Sequence, residues 1–203
     1  MNETYKVQVQ DLVDDLKAVF THAGLGGEAG EYKLLTQSFL YKFLNDKFLY
    51  QAKILDESNT YENLLAMSEE DYDWLLEDIG TSTAWLKPDQ LIETLHRQQN
   101  EPTFYETFEN TLNQIAIDNN DIFSVHTDGD TAIRLFDERL ITDTISDSSK
   151  RNEVAKAIIN LLARVKFDET IFSQGFDFFS TLFEYMIKDY NKDGGGKYAE
   201  YYT

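Results

Sequence analysis

The stretch EYKLLTQSFLYKFLNDKFLYQAKIL, residues 31–55, constrains the fold more than any other part of the chain. Its apolar residues Leu35, Phe39, Leu40, Phe43, Leu44, Phe48 and Leu49 recur at spacings of three and four, yet they fall on more than one side of a helix. A helix that is apolar around most of its girth must be covered by other helices, so it belongs at the centre of a bundle. The rest of the sequence supplies that cover. Val9, Leu12, Val13, Leu16, Val19 and Phe20 mark one face of an earlier helix, and the glycine-rich AGLGGEAGE then stops it.

Further helices have readable ends. Ser68 is placed to cap SEEDYDWLLEDIG, with Asp71 at its third position, Tyr72, Leu75, Leu76 and Ile79 facing inward and Gly80 ending it. Pro88 suits the first turn of KPDQLIETLHRQ. Thr103 and Glu106 have the spacing of a capping box ahead of Phe104, Phe108, Leu112 and Ile115. The polar run at 146–153 reads as a loop capping a helix that carries Val154, Ile158, Leu161, Leu162 and Val165. A last helix holds Phe176, Phe179, Leu182, Phe183, Met186, Ile187 and Tyr190. Asp128-Gly129 allows one minor β-hairpin or a loop. The expected fold is all-α, an irregular multi-helix bundle.

Composition narrows the function classes. With 203 residues, 42% hydrophobic and 14% aromatic, the chain can bury a sizeable core. It has no Cys, which removes disulfides and cysteine-ligated metal, and only three His, at 22, 96 and 126. No stretch has the length of a membrane span and the start lacks a signal-peptide layout, so a cytoplasmic setting is expected. Thirty-seven acids against 18 basic residues give a net charge of −19, which repels a phosphate backbone over most of the surface. DNA contact then falls to local basic residues: Lys33, Lys42 and Lys47 on the long helix, and Lys150 with Arg151 at a helix start. Adjacent acids such as Glu69-Glu70 and Asp14-Asp15 point different ways on a helix and single out no hydrolytic pair.

DYNKDGGGKYAE, residues 189–200, fits the calcium-loop template: Asp189, Asn191 and Asp193 at positions one, three and five, Gly194 at six and Glu200 at twelve. Three features oppose ion binding. Gly196 stands where an apolar residue normally pairs with a second loop, no second loop exists, and the triple glycine raises the ordering cost. A calcium-binding helical module is therefore the alternative reading.

The segment FDFFSTLFEYMIKDYNKDGGGKYAEYYT, residues 176–203, resembles the junction in the modification (M) subunit of type I restriction–modification systems. In that family a helix of the form F-x-x-L-F-E-Y-x-I leads through a glycine-containing loop into E-[FY]-Y-T-P, which opens the methylase domain. The counterparts here are Phe179 through Ile187, Gly194 to Gly196, and Glu200 to Thr203. The earlier helix, glycine break and LLTQSFLYKFLNDKF are similar to the family's helical N-terminal domain, more loosely before about residue 60.

The resemblance implies that residues 1–168 form the helical N-terminal domain. Residues 169–203 are then a connecting helix, a glycine linker and the first residues of a truncated methylase domain. It implies a parent enzyme, an adenine-specific DNA methyltransferase that uses S-adenosylmethionine to methylate adenine at N6, flipping the base out of the duplex to do so. Its partners would be a second M subunit, the DNA-specificity subunit, the restriction subunit and duplex DNA. Tyr202 and Thr203 match positions that approach the cofactor. The family's Asn-Pro-Pro-Phe/Tyr tetrapeptide is missing, since Pro88 and Pro102 are the only prolines, so no catalytic residue is assigned and this chain alone is expected to be inactive. Aromatic residues meant for the absent half would favour self-association of the fragment.

Calcium titration separates the linker from the ion site. With a linker, the melting temperature is expected to stay unchanged at millimolar calcium. A binding site filled at about a hundred times its Kd would add about 2.7 kcal/mol of stability.

Overall fold

The computed structural model describes residues 3–120, 135–167 and 171–172. Among these residues there are eight α-helices, one short 3-10 turn and no strand, so the all-α multi-helix arrangement is observed. The helices are α1 (Glu3–His22), α2 (Ala29–Leu55), α3 (Tyr61–Ala66), α4 (Glu69–Ile79), α5 (Ile92–Gln98), α6 (Phe104–Asp118), α7 (Leu140–Thr144) and α8 (Ser148–Arg164), with the 3-10 turn at Pro88–Gln90. The expected hairpin at Asp128-Gly129, the helix over 176–190 and the 189–200 loop lie outside the described residues. No described helix is long and apolar enough to cross a membrane.

The long helix is central, as its girth of apolar residues requires. Leu34, Leu35, Phe39, Tyr41, Leu44, Phe48 and Ala52 are buried on α2, which packs against α1, α4, α7 and α8. Full burial of each large apolar side chain contributes about 1.5–3 kcal/mol, so this one helix anchors the core. The second hub is α8, whose Val154, Ala155, Ile158, Ile159 and Leu162 are buried against α1, α5 and α6. On α1 the predicted face is buried at Val9, Leu12, Val13, Leu16 and Phe20. Past residue 168 the chain is still attached to α2: Phe172 lies 5.7 Å from the Phe43 ring and 5.3 Å from that of Tyr50.

The glycine break between α1 and α2 has a backbone cause. Gly24 and Gly27 adopt φ of 95° and 74°, where a side chain would be strained. The Glu31 carboxylate accepts the Gly27 N–H at 2.8 Å and fixes the turn onto α2. Helix α2 starts at Ala29, earlier than the apolar pattern suggests, because Gly30 lets its first turn approach α7 closely. A Cβ on Gly30 would stand 2.6 Å from the Thr144 methyl.

Local caps hold in part. Ser68 accepts the Asp71 N–H and donates to the Asp71 carboxylate at 2.6 Å, while Gly80 ends α4 at φ 59°. Other expectations need correction. Pro88 opens a 3-10 turn rather than α5: the Gln90 side chain accepts the Lys87 N–H, and the Ile92 N–H turns to Asn45 Oδ1 at 2.9 Å, which breaks the helix at Leu91. The capping box at Thr103 is not formed. Asn152 of α8 accepts the Tyr105 N–H instead, and the Tyr105 hydroxyl donates to the Glu106 carboxylate. The run at 146–153 is mostly helix, since Asp147 caps α8 by accepting from the Ser149 N–H and hydroxyl.

The connection after α4 is braced by an amide. Asn119 accepts the Trp85 N–H at 2.6 Å, donates back to the Trp85 carbonyl at 2.9 Å and also reaches the Ile115 carbonyl. The Trp85 indole N–H donates to the Gly80 carbonyl at 2.6 Å. The end of α4, the segment leading to the 3-10 turn and the end of α6 are thereby one hydrogen-bonded unit.

Two predictions test this packing. Gly30→Ala is expected to cost about 1–3 kcal/mol in urea unfolding, because the new methyl must displace Thr144. Adding Thr144→Ser, which deletes the opposing methyl, should restore most of the loss. The second concerns two phenols that donate to backbone carbonyls, Tyr41 to Gln90 at 2.7 Å and Tyr72 to Leu86 at 2.6 Å. Burial, with the Asp89 charge second, raises both above the ordinary 10.0. A phenol raised in the fold contributes stability that is complete below its unfolded pKa and is lost as pH climbs through the folded one. The stability gap between the wild type and the double variant Tyr41→Phe/Tyr72→Phe should therefore narrow above about pH 10 in pH-dependent denaturation.

Candidate functional site

The sequence places five basic residues as candidate DNA contacts, and the structure distributes them among different jobs. Lys42 is corrected outright. Its side chain is 3% exposed, and its ammonium lies 2.9 and 3.0 Å from the two carboxylate oxygens of Asp46, one helical turn on. The same ammonium stands 5.6 Å from the Phe167 ring centroid. Desolvation lowers its pKa and the Asp46 charge opposes that shift. An ammonium enclosed in this way has no face left for a phosphate.

Arg151 is half-buried and engaged with the backbone. It donates to the carbonyls of Ile145 at 2.9 Å and Thr142 at 3.3 Å, satisfying acceptors left open at the end of α7. Lys33 is half-exposed and paired with Asp137 at 2.6 Å. Lys47 is half-buried, with its ammonium 5.7 Å from the Phe43 ring, and Lys150 is half-buried in the first turn of α8. Lys33 and Lys47 are separated by about 21 Å of helix, so α2 gathers no basic patch from them. Tyr202 and Thr203 lie outside the described residues.

Periodicity alone gave no sign of the buried polar core around Asp46. Its Oδ1 accepts from Lys42 and from the Asn45 amide at 2.8 Å, and its Oδ2 from Lys42 and the Phe167 N–H at 2.9 Å. The Asn45 oxygen accepts from Ile92. Three separate pieces of chain thus meet on one turn of α2. A second carboxylate does similar work between helices: Glu109 of α6 accepts the Thr142 N–H and its hydroxyl.

The exposed side of α4 is the other concentration of chemistry. Its apolar stripe, Tyr72, Leu75, Leu76 and Ile79, faces the core, with Phe48 and Tyr72 rings 6.4 Å apart. On the outer side Glu69, Glu70, Asp73, Trp74 and Glu77 border one open depression of about 540 Å3. Trp74 is 60% exposed, the most exposed large apolar residue described. The carboxylates follow one another at helical spacing along the outer face. Among the described residues no three metal-ligating groups converge closely enough to hold an ion. Arranged along a helix, these acids suit an extended cationic surface. The sequence held a signal for this face, because Trp74 falls off the apolar stripe of its own helix, where a tryptophan has no core to enter.

In comparisons with known proteins, no family model, no curated protein and no solved structure matches this chain.

If Lys42 is structural, Lys42→Met should cost about 3 kcal/mol or more, since it leaves the Asp46 carboxylate buried without its counter-charge. Lys33→Ala, which breaks an exposed pair, should cost about 1 kcal/mol or less. Urea midpoints of the two variants check the contrast.

Proposed function

We infer that this chain is the helical N-terminal domain of the modification subunit of a type I restriction–modification system, serving subunit assembly and the clamping of DNA in the assembled complex. The observation that carries the reading is the order of motifs at residues 176–203, with the F-x-x-L-F-E-Y-x-I pattern, the triple glycine and Glu200-Tyr201-Tyr202-Thr203 following a body whose described residues form helices and no strand. The burial of α2 supports it, because LLTQSFLYKFLNDKF is part of the resemblance and α1, α4, α7 and α8 pack against that helix.

Within that reading, weight moves from DNA grip toward subunit contact. Lys42 is buried against Asp46, Arg151 is half-buried on backbone carbonyls, and the net charge of −19 opposes a phosphate backbone. Lys33, Lys47 and Lys150 remain as the candidates for any phosphate contact. The methylation itself belongs to the parent enzyme, in which S-adenosylmethionine supplies the methyl group and Tyr202 and Thr203 would border its pocket. The specificity subunit, the restriction subunit, a second M subunit and duplex DNA are the partners of that complex, in a cytoplasmic setting.

Two measurements test this. A gene product extended past Thr203 through an Asn-Pro-Pro-Phe/Tyr motif is expected to transfer labelled methyl groups from S-adenosylmethionine to adenine in duplex DNA, in complex with a specificity subunit, whereas residues 1–203 alone transfer none. The isolated domain should bind duplex DNA no tighter than about 10⁻⁴–10⁻⁶ M at physiological salt, with a shallow salt dependence. Nanomolar binding by the isolated domain would overturn the assembly role.

A further inference from the structure

We propose that the outer face of α4 is a docking surface for an arginine-rich segment of a partner protein, with Trp74 as the stacking platform and Glu69, Glu70, Asp73 and Glu77 as its carboxylate rim. The proposal stands on the charge and shape of this face and not on the methylase assignment, so either can fail without the other.

Four observations lead to it. The first is exposure: Trp74 presents 60% of its surface to solvent at a depression bordered by four acids and no basic residue. Several acids elsewhere in the fold are paired. Glu62 pairs with Arg97, Asp118 with Lys87, Asp137 with Lys33 and Asp15 with Arg164. Glu69, Glu70, Asp73 and Glu77 have no ion pair among the described residues, which is the second observation.

The third is that the arrangement opposes the helix that carries it. Glu69 with Asp73, and Asp73 with Glu77, are like-charge pairs at a spacing of four, which destabilise a helix. Acids in the first turn suit the helix dipole, which accounts for Glu69, Glu70 and Asp71. Glu77 and Asp78 sit at the other end, where the dipole disfavours them and no basic residue compensates. Local helix stability therefore explains only half of the charge on α4, and a cationic partner relieves the rest.

The fourth is the choice of occupant. A guanidinium lies flat on an indole face while its N–H fork takes a flanking carboxylate in two parallel bonds, so arginine satisfies the tryptophan and the acids together. A nucleic acid is repelled by this face, and a second copy of the chain carries the same net charge of −19. Charge complementarity leaves a basic protein segment.

The test uses the full 203-residue chain and a labelled peptide of alternating arginine and serine, titrated at about 0.15 M salt so that distant charges are screened. Trp74→Ala is expected to weaken binding about three- to fivefold. The triple variant Glu69→Lys/Asp73→Lys/Glu77→Lys should weaken it tenfold or more, on the order expected for several lost charge pairs. A control triple with the same change in net charge, Asp11→Lys/Glu57→Lys/Glu153→Lys, replaces exposed acids on other elements and should change affinity less than about threefold. Equal losses in the two triples would mean attraction to net charge alone and would overturn the proposal. So would unchanged affinity in Trp74→Ala. Circular dichroism melts check that each variant folds; if the α4 triple does not, Trp74→Ala decides, since an exposed indole is not needed for packing.

Discussion

The carboxylate of Asp46 is where the bundle is tied together. It sits on the most buried helix, 7% exposed, and accepts from Lys42, Asn45 and the backbone of Phe167, while Asn45 reaches across to Ile92. Taking an ion pair out of water has a desolvation cost that its own attraction only roughly offsets, so such a group adds little to stability for its own sake. What it adds is position. An apolar helix surface accepts many rotations and slides of its neighbours, whereas a carboxylate held by three donors through four contacts admits one. The start of α5 and the segment after α8 are fixed to α2 by that requirement, and the apolar contacts of α8 with α1, α5 and α6 then fill in around a frame already set.

Much of this architecture was legible from apolar spacing, because a helix records its buried face as a repeat of three and four. The faces of α1, α4, α6 and α8 and the central place of α2 follow from it. The errors share one cause. At Thr103 and at Pro88 the sequence offers a good local solution, and in both places a side chain from elsewhere takes the backbone N–H first, Asn152 for Tyr105 and Asn45 for Ile92. Spacing along the chain cannot register a competitor 47 residues away in sequence. The same limit explains Lys42: read as one of three lysines on a helix, it looks like its neighbours, and only the arrival of Phe167 and the turn to Asp46 make it an internal group.

Sorting the basic residues also changes what kind of molecule this is. The chain has twice as many acids as bases, and five of its 18 basic residues are paired with Asp46, Asp137, Asp118, Glu62 and Asp15. Its surface is suited to proteins that carry the opposite sign. Under the assignment to a modification subunit, such a domain would reach DNA through the company it keeps. The acids of α4 form a distinct surface feature with Trp74 among them.

Asn119 gives that surface a mechanical setting. Because its amide pairs with both backbone groups of Trp85, and the Trp85 indole holds the end of α4 at Gly80, α4 is not a hinged flap but a strut welded to α6. A strut loses little freedom when something grips it, so whatever binds there meets a rigid handle.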